Sequence, residues 1–230
     1  MTHTAHAIRN ARPVQLTRKA LMMSCASAAL AAAALMPQPA RAQAFQGSIT
    51  SSTGSVNRVT PTGTTETITI GSNTATINWS PTNQQAGGPA IDFLPNGNTA
   101  TFTSAQGITD YTVLNRIIPD SGQAIALNGH VVSTLQGTSA SGGRVWFYSP
   151  GGIVIGATAV FDVGSLLLTT NDITSFNDTS ATFSGAAGST ARVQVQNGAQ
   201  INALQPGSYV AIVAPRIEQG GKVRVNGAAA

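Results

Sequence analysis

The chain has 230 residues, of which only 9% are charged and 42% are hydrophobic, with a single cysteine. Its formal charge of +4 is unevenly placed: Arg9, Arg12, Arg18, Lys19 and Arg41 precede residue 45, whereas every acidic residue follows it. From residue 45 on, 7 positive groups face 8 negative ones, a net of −1, which excludes a basic surface of the kind that binds nucleic acid or anionic membranes.

The first element is a leader. The basic residues up to Lys19 form an n-region, residues 20–36 are apolar or small without a charge, and Pro37 and Pro39 end the run. Ala40-Arg41-Ala42 then supplies a small-x-small cleavage site. Cleavage is expected after Ala42, with Ala44 as a second position. The apolar stretch falls short of the ~20 residues that span a bilayer and is rich in weakly hydrophobic alanine. Cys25 lies inside it, so the processed chain has no cysteine and no disulfide.

Beyond the leader no window places apolar residues at sustained helical spacing. Short β-forming runs recur instead: 56–59, 67–70, 74–79, 90–93, 99–103, 112–117, 124–127, 130–134, 144–148, 153–155, 160–168, 192–195, 200–204, 209–213 and 222–225. Turn signals separate many of them, including Asn96-Gly97, Asn128-Gly129, Asn197-Gly198 and Pro206-Gly207. The densest stretch is 144–170, where Trp146, Phe147 and Tyr148 run into Ser149-Pro150-Gly151-Gly152 and then Ile153, Val154 and Ile155. Strands this short and close together suit a chain that keeps turning corners in one direction.

That pattern predicts an all-β solenoid. Gly156-Ala157 and Gly198-Ala199 stand 42 residues apart, which fits two coils of 21. The run from Arg192 to Ala199 echoes that from Lys222 to Ala228. Scarce charge fits stacking ~4.8 Å apart, where a like-charge ladder costs on the order of 1 kcal/mol per pair even in water. Residues 43–110 are expected to hold an N-terminal cap and the first coils. Residues 111–230 should hold further coils, with a loop or hairpin thrown out near 171–189 and a truncated C-terminal end. A β-sandwich with Ser/Thr-rich loops stays open as an alternative.

Three segments carry a resemblance. Val113-Leu114-Asn115-Arg116-Ile117 places an asparagine between apolar strand residues, and Leu127-Asn128-Gly129-His130-Val131 follows as strand and turn. Tyr148-Ser149-Pro150-Gly151-Gly152-Ile153 is then followed by Gly156-Ala157 and Phe161-Asp162-Val163-Gly164. In this order they resemble the N-terminal secretion domain of filamentous haemagglutinin-type exoproteins, the haemagglutination activity domain of two-partner secretion. The resemblance implies a right-handed parallel β-helix with an N-terminal β cap. It also implies an outer-membrane transporter of the polypeptide-transport-associated class as partner, adhesion to a host or cell-surface glycan or protein, and a secreted or surface location in a Gram-negative bacterium. Ser149 and Gly151 stand where the family has asparagines. Pro150 fixes φ at the second turn position and Gly151 permits φ > 0 at the third, so a type II turn is expected. Asn115, Ser149, Pro150, Gly151 and Gly152 are the candidate secretion-signature residues.

No catalytic, metal or cofactor site is expected. His130 is the one histidine after the leader, and serines are too common to give a Ser-His-Asp reading meaning. Asp92, Asp110, Asp120, Asp162, Glu66 and Glu218 are scattered rather than grouped, against the pattern of a β-helix polysaccharide lyase or hydrolase. That enzyme class, or a sugar-binding surface protein using Trp146, Phe147 and Tyr148 as a stacking platform, is the alternative function.

Overall fold

The computed structural model of the chain describes residues 43–59, 63–84, 88–177 and 180–230. The leader, Cys25 and the expected cleavage position at Ala42 lie outside the described residues. Among those described there is no helix, and the strands sort into three parallel ladders. The first stacks β3 (Thr65–Ile70), β6 (Thr99–Ser104), β9 (His130–Thr134), β12 (Val160–Asp162) and the start of β17 (Gln200–Val213). The second stacks β4 (Thr74–Pro81), β7 (Thr112–Ile117), β10 (Arg144–Tyr148), β13 (Ser165–Thr169) and the end of β17. The third stacks β5 (Ala90–Leu94), β8 (Ala124–Leu127), β11 (Ile153–Ile155), β16 (Arg192–Val195) and β18 (Arg216–Gln219).

Each passage of the chain through the three ladders is one coil, and β19 (Lys222–Ala229) begins the next coil by pairing with β17. Two strands run the other way: β1 (Gly47–Thr53) pairs antiparallel with β4, and β2 (Val56–Arg58) with β3. A hairpin of β14 (Asp172–Phe176) and β15 (Ala181–Ser184) forms a separate antiparallel pair. The long, mostly parallel sheet is compatible with a β-solenoid.

The core follows from period-two alternation. One side of each strand points inward, so Ala75, Val113, Val145, Leu166 and Val210 form one buried row and Ile91, Ile125, Ile153 and Val193 another. Burying each Val, Ile or Leu contributes about 1.5–3 kcal/mol, and a row keeps that gain from coil to coil. Phe45 fills the top of the core: its ring stacks on Phe93 at 5.0 Å and meets the edge of Trp79 at 5.3 Å.

β7, β8, β9, β10 and β11 have the bounds expected from sequence. Coil length varies: Arg144 pairs with Ser165, the expected 21 residues on, but the Gly-Ala spacing does not mark two such coils. Val160 pairs with His130, 30 residues back, and with Gln200, 40 residues on. Gly156-Ala157 and Gly198-Ala199 therefore lie on successive coils, and the 42-residue spacing is one coil lengthened by the hairpin. The Arg192 and Lys222 echo does not stack either, since Arg192 pairs with Arg216 and Lys222 with Gln200.

Two expected strands merge into β17, which bends through a register shift between Ala203 and Ser208, where the Ser208 hydroxyl donates to the Ala203 carbonyl. The expected run 160–168 splits at Gly164, whose Cβ would collide with the Gly143 carbonyl of the coil before. Among the described residues one like-charge pair stacks: Arg192 and Arg216 are in register, with Glu218 Oε1 between them at 3.8 and 3.0 Å.

Candidate functional site

Asn115 sits at an inward position of β7 and is fully buried. Its Oδ1 accepts from Trp79 Nε1 at 3.1 Å, and its Nδ2 donates to the Trp146 carbonyl at 3.2 Å. Trp79 lies on β4 and Trp146 on β10, so one amide ties three consecutive coils. In the folded chain this side chain has no surface to offer a partner; it acts as a staple.

The 149–152 turn forms the corner between the second and third ladders. Gly152 N donates to the Ser149 carbonyl at 3.2 Å, and Ser149 N donates to the Thr169 carbonyl of the next coil at 3.2 Å. The expected type II geometry is not found. Positive φ falls on Gly152, at 121°, and not on Gly151. Gly151 is needed for a different reason: a Cβ there would collide with the carbonyl oxygens of Gly122 and Gln123 in the coil before. Coil spacing dictates the residue, not the turn type. Pro150 is exposed, whereas Ser149 is buried and its hydroxyl has no partner among the described residues.

Beside this corner lies a groove of 560 Å³, lined among others by Gln123, Pro150, Gly151, Ser189, Thr190 and Arg192. Gln123 Nε2 donates to the Gly88 carbonyl at 2.6 Å, while its Oε1 has no partner among the described residues. The groove thus joins four coils at one edge, from Pro89 to Arg192, and presents amide, hydroxyl and guanidinium groups with an exposed proline.

The outer surface of the second ladder was not anticipated. Leu114, Trp146, Tyr148 and Leu167 point outward yet are buried, covered by Ile173 and Phe176 of the hairpin. Trp146 meets the Phe176 ring at 5.2 Å and donates from Nε1 to Tyr209 Oη at 2.8 Å. Arg116 latches the hairpin: NH1 reaches Asp172 Oδ1 at 2.5 Å and the Ile173 carbonyl at 3.3 Å, and the guanidinium lies 4.9 Å over the Tyr148 ring. Burial pushes the phenol pKa of both Tyr148 and Tyr209 upward. The sequence signal was present, since 145–148 and 166–168 are continuously apolar or aromatic where a one-sided strand would alternate.

The remaining candidates are paired singly. His130 Nε2 stands 2.8 Å from Asp162 Oδ2, and Asp162 Oδ1 accepts from Asn202 Nδ2 at 2.9 Å. Ser133, the serine of that strand, points to the opposite, inner side. Asp92 accepts from Asn128, and Asp110 pairs with Arg144. Among the described residues, no three His, Cys, Asp or Glu side chains gather as a metal site would require. Trp146, Phe147 and Tyr148 do not form one platform: Phe147 is in the core and the other two are under the hairpin. No protein-family model matches the chain, and no curated protein matches it.

Proposed function

We propose that the chain is the secretion-targeting and scaffold domain of a filamentous haemagglutinin-like exoprotein or adhesin. On this reading it is a right-handed parallel β-helix with an N-terminal cap, non-enzymatic, exported through an outer-membrane transporter of the two-partner secretion type to the cell surface. The observation that carries the reading is the pairing order. Parallel coils begin at β3, β4 and β5, and the open edges of β3 and β4 are covered antiparallel by β2 and β1 with Phe45 plugging the core. An open strand edge invites misassembly, and a covered first coil leaves growth in one direction only.

The mechanism has three steps. The leader takes the chain across the inner membrane. The cysteine-free chain meets the transporter in an extended state, when Asn115 and the 149–152 turn are still accessible. Outside, the first coil folds and templates the next, and each stacked coil buries apolar surface only after exit, which biases movement outward. The test is a reporter fused behind residue 230 in a Gram-negative host carrying the partner pore. Reporter should reach the medium with the pore and stay in the periplasm without it. Equal export in both strains overturns the reading, and release of new sugar ends from polysaccharide by the purified chain would move it to the enzyme class.

A further inference from the structure

We infer that residues 43–46 are a docking segment for the processed amino terminus, and that the leader is cut between Ala42 and Gln43 rather than after Ala44. The inference rests on the reading of the first 42 residues as a leader. Ala44 and Phe45 have no exposed surface. Asn98 Nδ2 donates to the carbonyls of both Gln43 and Ala44 at 3.1 Å. Arg58 donates to the Phe45 carbonyl at 3.3 Å and the Gly47 carbonyl at 2.9 Å, and Gln46 N donates to the Phe93 carbonyl at 2.7 Å. Glu66, with a fully buried side chain, pairs with Arg58 at 2.7 Å. The N–H groups of Phe45 and Ala44 face the Glu66 carboxylate, whose Oε1 has no close hydrogen-bond partner among the described residues.

The two possible cuts have opposite consequences. Hydrolysis of the Ala42-Gln43 amide by a membrane-bound leader protease adds water across the bond, leaving a carboxylate on Ala42 and an ammonium on Gln43. Gln43 is only half-buried, and every bond named above survives. A cut after Ala44 removes both acceptors of Asn98, itself 8% exposed, and replaces the buried Phe45 amide by an ammonium held between the Glu66 carboxylate and the Arg58 guanidinium. A buried amide stripped of its acceptors is strongly disfavoured, and the loss at Asn98 is what separates the two cuts. A protease needs the residues after the scissile bond extended in its cleft, so the cut precedes closure of the first coil.

Trypsin reads the outcome on the exported product of the 230-residue precursor, because it cuts after Arg41 and Arg58. Cleavage after Ala42 yields a 43–58 peptide, cleavage after Ala44 a 45–58 peptide, and an unprocessed chain a 42–58 peptide. The first is expected. The 45–58 peptide as main product overturns the inference and leaves the leader reading standing; the 42–58 peptide throughout overturns the leader reading itself. Chains produced to start at Gln43 and at Phe45 give a second arm. The shorter should melt about 5–10 °C lower. Asn98→Ala should lower the midpoint of the longer chain and leave the shorter nearly unchanged. Equal midpoints for the two chains, or an equal Asn98→Ala effect in both, overturn the docking.

Discussion

The first and second ladders are alike inside and unlike outside. Both send aliphatic and aromatic side chains inward. Outside, the first ladder shows half-buried threonines, His130, Asp162 and Asn202, whereas the second shows Leu114, Trp146 and Leu167 under a hairpin. The difference teaches how a stacked β-coil acquires another layer. Its strands lose their alternation, and a segment from the same coil returns to cover the apolar side. The hairpin leaves β13 and rejoins at β16, so the cover costs no ladder pairing.

The contrast is open to direct attack. Trp146→Ala should cost about 3–5 kcal/mol in urea unfolding, since a nearly buried indole is lost and Tyr209 loses its donor. Thr101→Ala, outward on the first ladder, should stay within about 0.5 kcal/mol. Similar values for both would erase the distinction. Arg116→Ala should have a smaller effect, about 1 kcal/mol because Asp172 is partly exposed. Its signature is local: amide exchange should quicken across β14 and β15 and stay slow in β10.

Alkaline titration gives a third contrast. The phenols of Tyr148 and Tyr209 have raised pKa values in the folded chain, so above pH 10 the unfolded chain loses these protons first. Their stabilising contribution is complete below pH 10 and falls as pH rises through the folded values. Tyr209→Phe should weaken that alkaline loss when Tm is followed against pH. Least of all, Asp162→Asn should cost under about 1 kcal/mol and lose even that in high salt, because His130 and Asp162 are both over a third exposed.

Much of the ladder structure was legible because inward positions repeat a simple alternation and glycine marks the corners. What escaped had identifiable causes. β18 has one inward apolar residue, Ile217, set among charged and amide neighbours, so no alternation shows. β1 is mostly Ser and Thr and is held by its pairing to β4 rather than by burial. The Gly-Ala spacing misled because coils are matched by register and a hairpin adds length without shifting it, while a 21-residue circuit lies between Arg144 and Ser165. Of the candidate residues, Asn115 was visible as an asparagine among apolar neighbours, but its two partners come from strands 36 and 31 residues away. The reason for Gly151 was hidden for the same cause, since the atoms that forbid a side chain belong to the preceding coil.

The unequal coils also separate contour from reach. One circuit uses 30 residues and the next 40, yet each advances the stack by one strand spacing, about 4.8 Å. Axial length is therefore counted in circuits, and sequence inserted between β13 and β16 widens the rod without lengthening it. A foreign segment grafted at that position would be carried sideways at a fixed height, which makes the hairpin site a fixed axial marker along the stack of coils.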